Sequence, residues 1–460
     1  MSCRSHPITP DRTDTDLAID RTLAWLRWLL LAVAAVHCRA ARADEIGLFG
    51  LLGMYNSNNP ERVSSGARHD DVGYATLSSY GAWQTGRFTS HWDVQESEIT
   101  YLHSRFGSKN YGTADIRSQY DSLSGMVTWR VMEDFGQLVE NPAEADTPLN
   151  RSNFNVFSTG PTVRLPFDER TWAESSLLYS HTYYEVGTLG GDAQDAEIGI
   201  NRSLRPKTSL GVFIGRSSGS TEEFGRYNSQ RASLRLLATG AWTTVVANAG
   251  VDRAEQPVKS GNLLYYDLTA SRALPSASKL ELAASRKLTT ASQEFGQFAA
   301  NTAVQAAGNG AVPVSAVDLN TSTNLFNAET VRAAYRTKPR RTEWEFGLSW
   351  RKEDPLAGMP GDHRRYATVD ASYYRVWGSK TGIRVYGAYG ITRGEVTESQ
   401  YNHQSVVGCE FAKPINDNPG MRWVATFERD TRVSNDQGAQ YTEIRIGFYL
   451  RYSRFIYQRQ

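Results

Sequence analysis

The sequence predicts an all-β protein: a single transmembrane, antiparallel, up-and-down β-barrel of about 18 to 20 strands, within a range of about 16 to 20. Three observations lead to this prediction. The chain opens with a segment typical of exported proteins, its turn signals recur at a regular interval, and its strands alternate between an apolar and a polar face. No apolar run reaches the roughly 20 residues that a spanning helix needs.

The leader is predicted over residues 1–43. An apolar run at Trp28–Val36 follows two arginines and precedes Ala41–Ala43, and this order of charge, apolar core and small residues is that of a signal peptide. The polar region before the run is long for a leader, which leaves a downstream translation start open. The barrel is then predicted over residues 44–460, in the Gram-negative outer membrane. Cys409 is its single cysteine, so no internal disulfide is expected.

Turn signals divide the barrel region into intervals of about 36 to 40 residues, enough for two strands, a short turn and a longer loop. Nine such turns join strands in pairs, and a first and a last strand bring the predicted number to 20. An even number places the short turns and both chain ends on the periplasmic side. The turn residues are Gly86, Gly125, Pro166, Pro206, Gly240, Pro275, Pro339, Gly378 and Pro414.

Alternation with a period of two residues supports the individual strands. The first two, near Ile46–Tyr55 and Val72–Trp83, show it least, and the last five or six show it best. In Glu343–Arg351 every second residue is apolar, and the last strand, Gln440–Tyr452, has one wholly apolar face. Aromatic residues near the short turns are predicted to form the periplasmic girdle: Trp83, Trp172, Trp242, Tyr335, Trp377 and Trp423.

Longer loops are expected on the extracellular side, the two longest at Ala291–Phe326 and Phe135–Asn155. The first is rich in Ala, Asn, Gln, Gly and Thr and poor in charge. It either folds into the pore as a constriction or extends outside, and the residues leave both open.

The faces opposite the apolar ones are predicted to line the lumen, and they carry charges of both signs and tyrosines. Cross-strand ion pairs that stiffen the wall are one interpretation, and a polar track for a hydrated solute such as a sugar is the other. Mixed charge predicts no strong preference for anions or cations. The predicted lining residues are Lys279, Glu281, Arg332, Glu343, Glu345, Arg351, Asp370, Arg384, Tyr386, Glu428, Glu443, Arg445 and Tyr449.

The last strand also contains Arg445, Gly447, Leu450 and Tyr452 in the pattern Arg-x-Gly-x-x-Leu-x-Tyr. This pattern resembles the terminal-strand signal of bacterial outer-membrane barrels, and the resemblance implies recognition by the barrel-assembly machinery. Eight further residues follow the signal here.

No catalytic, cofactor-binding or metal site is predicted, and the chain is not expected to be an enzyme, because its histidines stand in no recognisable nucleophile or metal motif. The expected partners are outer-membrane lipid and the barrel-assembly machinery, with polysaccharide and periplasmic export components as further candidates. A net charge of +1 predicts no nucleic-acid partner.

One stretch resembles a group of proteobacterial outer-membrane barrels encoded with exopolysaccharide biosynthesis and exosortase (PEP-CTERM) loci. The resemblance rests on Thr147–Arg151, Phe157–Pro161, a tyrosine-rich strand through Tyr183, and the turn at Arg202–Pro206. An Asp-Asn pair often found in the first strand of that group is replaced here by Tyr55–Asn58. The resemblance implies a context of polysaccharide secretion.

The first functional hypothesis is therefore an outer-membrane channel that exports an exopolysaccharide. A non-conducting barrel that scaffolds a surface or secretion assembly and a general diffusion porin are the alternatives, because fold alone does not fix function.

Overall fold

The computed structural model describes residues 43–104, 106–139, 147–185, 190–221, 225–255, 260–289, 326–337, 341–355, 363–378, 380–394, 400–416, 418–435 and 440–458. The predicted leader, apart from Ala43, lies outside the described residues. So does the predicted long loop at Ala291–Phe326, apart from Phe326.

The described part of the chain forms 20 β-strands and a single short 3-10 turn at Pro148–Asn150. The strands are β1 (Ala43–Ser57), β2 (Asp70–Thr85), β3 (Phe88–Tyr101), β4 (Ser108–Asp121), β5 (Val127–Val139), β6 (Arg151–Pro166), β7 (Thr171–Tyr184), β8 (Gly191–Arg205), β9 (Thr208–Thr221), β10 (Gly225–Thr239), β11 (Thr243–Glu255), β12 (Ser260–Leu274), β13 (Ser278–Thr289), β14 (Phe326–Thr337), β15 (Thr342–Pro355), β16 (Arg364–Val376), β17 (Gly382–Gly394), β18 (Gln400–Ile415), β19 (Asn418–Ser434) and β20 (Tyr441–Gln458).

Each strand pairs antiparallel with the next one in sequence, and β1 pairs with β20 to close the sheet. Leu52 stands opposite Leu450 and Gly53 opposite Tyr449 in the closing register. Closure leaves no free edge, so the backbone groups are satisfied between strands, as a bilayer requires. The prediction of a single transmembrane up-and-down barrel is confirmed, at the upper end of the predicted strand number.

The short turns fall where the sequence predicts them, with Pro339 outside the described residues. Gly86 and Gly125 have φ values of +41° and +67°, a conformation that glycine adopts without a steric cost. The first residues of β1 pair with the last residues of β20, with Glu45 opposite Gln458. Both strand ends therefore lie at the same rim as the short turns.

The predicted loop at Phe135–Asn155 is wrong at both ends. β5 continues to Val139 and β6 begins at Arg151, with Gly136 opposite Phe154. Gln137, Ser152 and Asn153 belong to strands because the ladder continues through them, and hydrogen bonding between neighbouring strands does not depend on side-chain polarity.

Large apolar side chains are exposed at alternate positions along the strands, and these positions form the outer face. In β15, Leu348 is 54% exposed, and in β20, Ile446 is 60% exposed. A band of exposed apolar side chains is what a membrane-spanning barrel presents to lipid. Among the described residues, no helix is long and apolar enough to cross a membrane.

The predicted aromatic girdle is wrong at Trp172. Trp172 is two residues from Glu174 in β7 and therefore lies on the same face of the strand as Glu174, which binds Arg235 inside the barrel. The Arg164 guanidinium lies 4.1 Å from the centre of the Trp172 ring. Trp172 is therefore on the inner face, because a shift of one residue along a strand changes the face. Trp242, Trp377 and Trp423 are exposed near the short turns.

Candidate functional site

The inner wall of the barrel is the candidate functional site. Residues directly opposite each other on paired strands share a face, so the side chains that alternate with the exposed apolar ones point inward. The predicted lining residues of β13 to β20 stand at these alternate positions. Whether a solute contacts them stays a prediction.

A buried ion-pair network lies where β19, β20 and β1 meet, which we call the seam network. Arg62, in the loop between β1 and β2, contacts Glu443 at 3.0 Å and Asp430 at 3.2 Å. Arg445 contacts the same Glu443 at 2.6 Å and Glu428 at 2.9 Å. The two guanidiniums contact all three carboxylates, so each of these buried charges has a partner of opposite sign.

Hydroxyl and aromatic groups complete the seam network. Ser57 donates a hydrogen bond to Glu443 at 2.7 Å, and Tyr386 donates one to Glu428 at 2.8 Å. Burial disfavours the charged form of Arg62, but attraction from Tyr441, Glu443 and Asp430 outweighs it and raises the pKa of Arg62 well above its ordinary value. The loop between β1 and β2 is thereby held against the inner wall.

An apolar cluster lies inside the barrel next to the seam network. Phe49, Leu51 and Tyr55 of β1 pack with inward side chains of neighbouring strands, and the Tyr449 ring meets the Tyr74 ring edge-on at 6.4 Å. Sequence analysis missed this cluster because it treated the inner wall as polar throughout. The available signal was that β1 is largely apolar on both faces.

A polar pocket of ≈ 190 Å³ lies near the short-turn end of the inner wall. It brings together three of the predicted lining residues, Glu343, Glu345 and Arg384, with five further inward side chains. The eight lining residues are Glu343, Glu345, Ser372, Tyr374, Arg384, Glu410, Arg422 and Arg451. They come from six consecutive strands, β15 to β20, because each contributes one or two inward positions at this height.

The remaining predicted residues are spread along the wall. Lys279 pairs with its neighbour Glu281, and both are half exposed. Arg351 pairs with Glu353, to which Tyr366 donates at 3.3 Å. In addition, Arg332 is exposed, and Asp370 stands opposite Gly347, which leaves room for its carboxylate.

A second charged group, on β7 to β12, was missed by sequence analysis. Arg235 contacts Glu174 at 3.3 Å and pairs with Glu197, and its guanidinium lies 4.0 Å from the Phe213 ring centre. Arg231 lies 4.4 Å from the Tyr265 ring centre. The available sequence signal was that Arg231 and Arg235 are separated by an even number of residues, which places both side chains on one face of β10.

The glycine of the predicted terminal signal has a packing role. A Cβ atom at Gly447 would lie 2.5 Å from the Tyr449 hydroxyl, so the aromatic side chain occupies the space that glycine leaves. Leu450 and Tyr452 alternate with Tyr449 and point outward. Recognition of these residues by an assembly machinery stays a prediction.

No group of three His, Cys, Asp or Glu side chains among the described residues could hold a metal ion. The predictions that the chain binds no cofactor and is not an enzyme stay predictions.

Comparisons with known proteins give similar folds and no family. No family model and no curated protein matches the chain. Among solved structures, it is similar to OccAB3 of Acinetobacter baumannii, with 9% identity over 90% of this chain and 100% of that chain and a TM-score of 0.35. It is also similar to the FrpB iron transporter of Neisseria meningitidis (F5-1 variant), with 8% identity, 90% and 83% coverage and a TM-score of 0.41.

OpdK of Pseudomonas aeruginosa, solved with vanillate, is similar at 10% identity, 90% and 99% coverage and a TM-score of 0.36. Values this low carry no argument about what the present chain binds or transports.

Proposed function

We propose that this chain is a passive channel of the Gram-negative outer membrane and that it exports an exopolysaccharide. The observation that carries the channel proposal is the closed barrel itself, apolar and exposed outside, charged and tyrosine-bearing inside. A polar inner face inside an apolar outer face provides a hydrated route across a bilayer.

The proposed cargo is supported by the sequence resemblance and by the chemistry of the wall. Sugars present CH faces that pack on aromatic rings and hydroxyls that exchange hydrogen bonds with charged groups. The inner wall offers such pairs, among them Tyr386 with Glu428 and Tyr374 with Arg422.

A non-conducting scaffold is a second candidate, and the seam network favours it. Arg62 is brought inward from its loop and tied to Glu443 and Asp430, and apolar side chains fill the adjoining space. If such filling extended around the whole lumen, the barrel would be an anchor and not a channel.

Single-channel conductance of the purified full chain in planar bilayers tests the proposal. We expect steady conductance that neutral oligosaccharides of increasing length block progressively. Block by short and long oligosaccharides alike at weak affinity would indicate a general porin instead. Absence of conductance would contradict the channel and leave the scaffold.

The role proposed for the predicted loop at Ala291–Phe326 is tested by deleting residues 291–325. Higher conductance after deletion supports an inward constriction, and unchanged conductance supports an extracellular loop. Deletion of residues 140–146, which lie between β5 and β6 in the sequence, is the matched control.

A further inference from the structure

The polar pocket of the inner wall lies near the rim of the short turns. Glu343 is the second residue of β15, Arg384 the third of β17 and Arg422 the fifth of β19. In the register, Glu343 stands directly opposite Tyr374, and Arg422 stands directly opposite Arg451. Two guanidiniums that face each other across a strand pair repel unless counter-charges are near.

Most charges of the pocket are paired within the wall. Arg451 binds Glu410 through its two terminal guanidinium nitrogens, Nη1 and Nη2, with contacts of 3.0 Å each, the two-point geometry that makes such pairs strong. Glu345 pairs with Arg336, lies 3.9 Å from Arg384 and accepts a hydrogen bond from Ser372.

Two charged side chains of the pocket, one cationic and one anionic, have no ion-pair partner among the described residues. Among the described residues, Arg422 makes one side-chain hydrogen bond, to the Tyr374 hydroxyl at 3.4 Å, and has no carboxylate within 4.0 Å. Glu343 has no ion-pair partner within the same distance in the described part of the chain. Both line the same ≈ 190 Å³ of space.

We propose that this pocket is a binding site for a zwitterionic solute. The carboxylate of the solute pairs with Arg422, and its ammonium group pairs with Glu343, with Tyr374 between the two charges. The proposal rests on the proposed function, because solute reaches the pocket only through a hydrated lumen.

A ligand with both charges fits this pocket better than a ligand with one. A simple anion would satisfy Arg422 but would stand near the uncompensated Glu343, and a simple cation would meet the reverse problem. A solute with both groups compensates both side chains without changing the net charge of the pocket. The same chemistry is found in a free amino acid and in an amino sugar that carries a carboxylate.

Ligand-observed NMR titration of the full chain in detergent tests this site directly, without a need for conductance. The probes are γ-aminobutyrate, butyrate and butylamine, which share a carbon skeleton and differ in charge. We expect saturable binding of γ-aminobutyrate and roughly tenfold weaker binding of the other two, because each lacks one charged contact. The affinity of muramic acid, an amino sugar with a carboxylate, is compared with that of γ-aminobutyrate. The comparison shows whether the pocket prefers an amino sugar or a free amino acid.

Two variants assign the contacts. Arg422→Gln should weaken the binding of γ-aminobutyrate about tenfold without weakening that of butylamine, which no longer meets a like charge. Glu343→Gln should likewise weaken the binding of γ-aminobutyrate without weakening that of butyrate. Arg332→Gln, which removes an exposed arginine from the inner wall outside the pocket, is the matched control and should change affinity less than about twofold.

Two results would overturn the inference: no saturable binding of either zwitterion, or equal weakening by Arg422→Gln and Arg332→Gln. Binding without conductance would contradict the proposed channel and leave the site standing. Conductance without binding would contradict the site and leave the channel standing.

Discussion

Arg62 is the residue whose removal we expect to cost most on the inner wall. Arg62→Ala leaves Glu443 and Asp430 buried with less positive charge around them, and breaking a buried pair costs about 3 to 5 kcal/mol. Because Arg445 also contacts Glu443, we expect the free energy of unfolding to fall by about 3 kcal/mol, near the lower end of this range. Urea unfolding of the barrel, followed by tryptophan fluorescence, measures it.

Arg253→Ala is the control for Arg62→Ala. The Arg253 side chain is 62% exposed and pairs with Glu255 at 3.1 Å, and exposed pairs contribute about 0 to 1 kcal/mol. Equal losses for the two variants would show that the seam network adds no stability.

Asp168 gives a prediction about pH at the short turn between β6 and β7. The backbone amide of Arg170 donates to its carboxylate at 2.6 Å and that of Thr171 at 2.7 Å, and these bonds lower the pKa of Asp168 below its ordinary value. A lowered pKa in the folded protein means that the carboxylate stabilises the turn above the ordinary pKa, and that this contribution is lost as the pH falls through the lowered one.

The amide NMR resonances of Arg170 and Thr171 should therefore titrate with a midpoint below the ordinary value of about 3.9 for aspartate. Asp168→Asn should abolish this step. A midpoint at or above the ordinary value would contradict the capped turn.

At the scale of strands, the alternation of side chains predicted the last five or six strands best and the first two, β1 and β2, least well. In Glu343–Arg351 of β15 and Glu443–Tyr452 of β20, one face is wholly apolar and the other carries most of the charges, so lipid and lumen faces can be read directly. In β1, Phe49, Leu51 and Tyr55 face inward and are apolar, so both faces look alike and the sequence does not say which one meets lipid.

The last strand carries the prediction about assembly. Replacing Leu450 and Tyr452 together by serine should lower the folded fraction in outer membranes severalfold, because both belong to the terminal signal. Replacing Ile446 and Phe448 by serine removes similar apolar surface from the same face, where they are 60% and 52% exposed. Heat-modifiable migration on gels measures the folded fraction, and equal losses would show that only apolarity matters.

At the scale of the whole molecule, the decisive property is which face meets lipid. Val369 of β16 is 52% exposed, and Val369→Arg should cost about 2 to 4 kcal/mol in lipid vesicles because arginine is costly at the bilayer centre. Ala388→Arg places the same side chain on the inner face, opposite Asp370, and should cost less than about 1 kcal/mol.

Unfolding of both variants in lipid vesicles makes this comparison. If Val369→Arg is no worse than Ala388→Arg, the outer face does not contact the bilayer interior, and the transmembrane assignment of this region fails.

The sequence by itself determined a strand number of about 18 to 20, the positions of the short turns and the outward face of the last five or six strands. These properties are local: a turn needs a few residues that adopt its backbone angles, and a strand face is fixed by a period of two. The tertiary structure alone decided which inward side chains meet. Arg62 contacts Glu443 from the far end of the sequence, and the pocket gathers side chains of six strands. Such contacts depend on register and closure, because one residue of slip would exchange inner and outer faces along a strand.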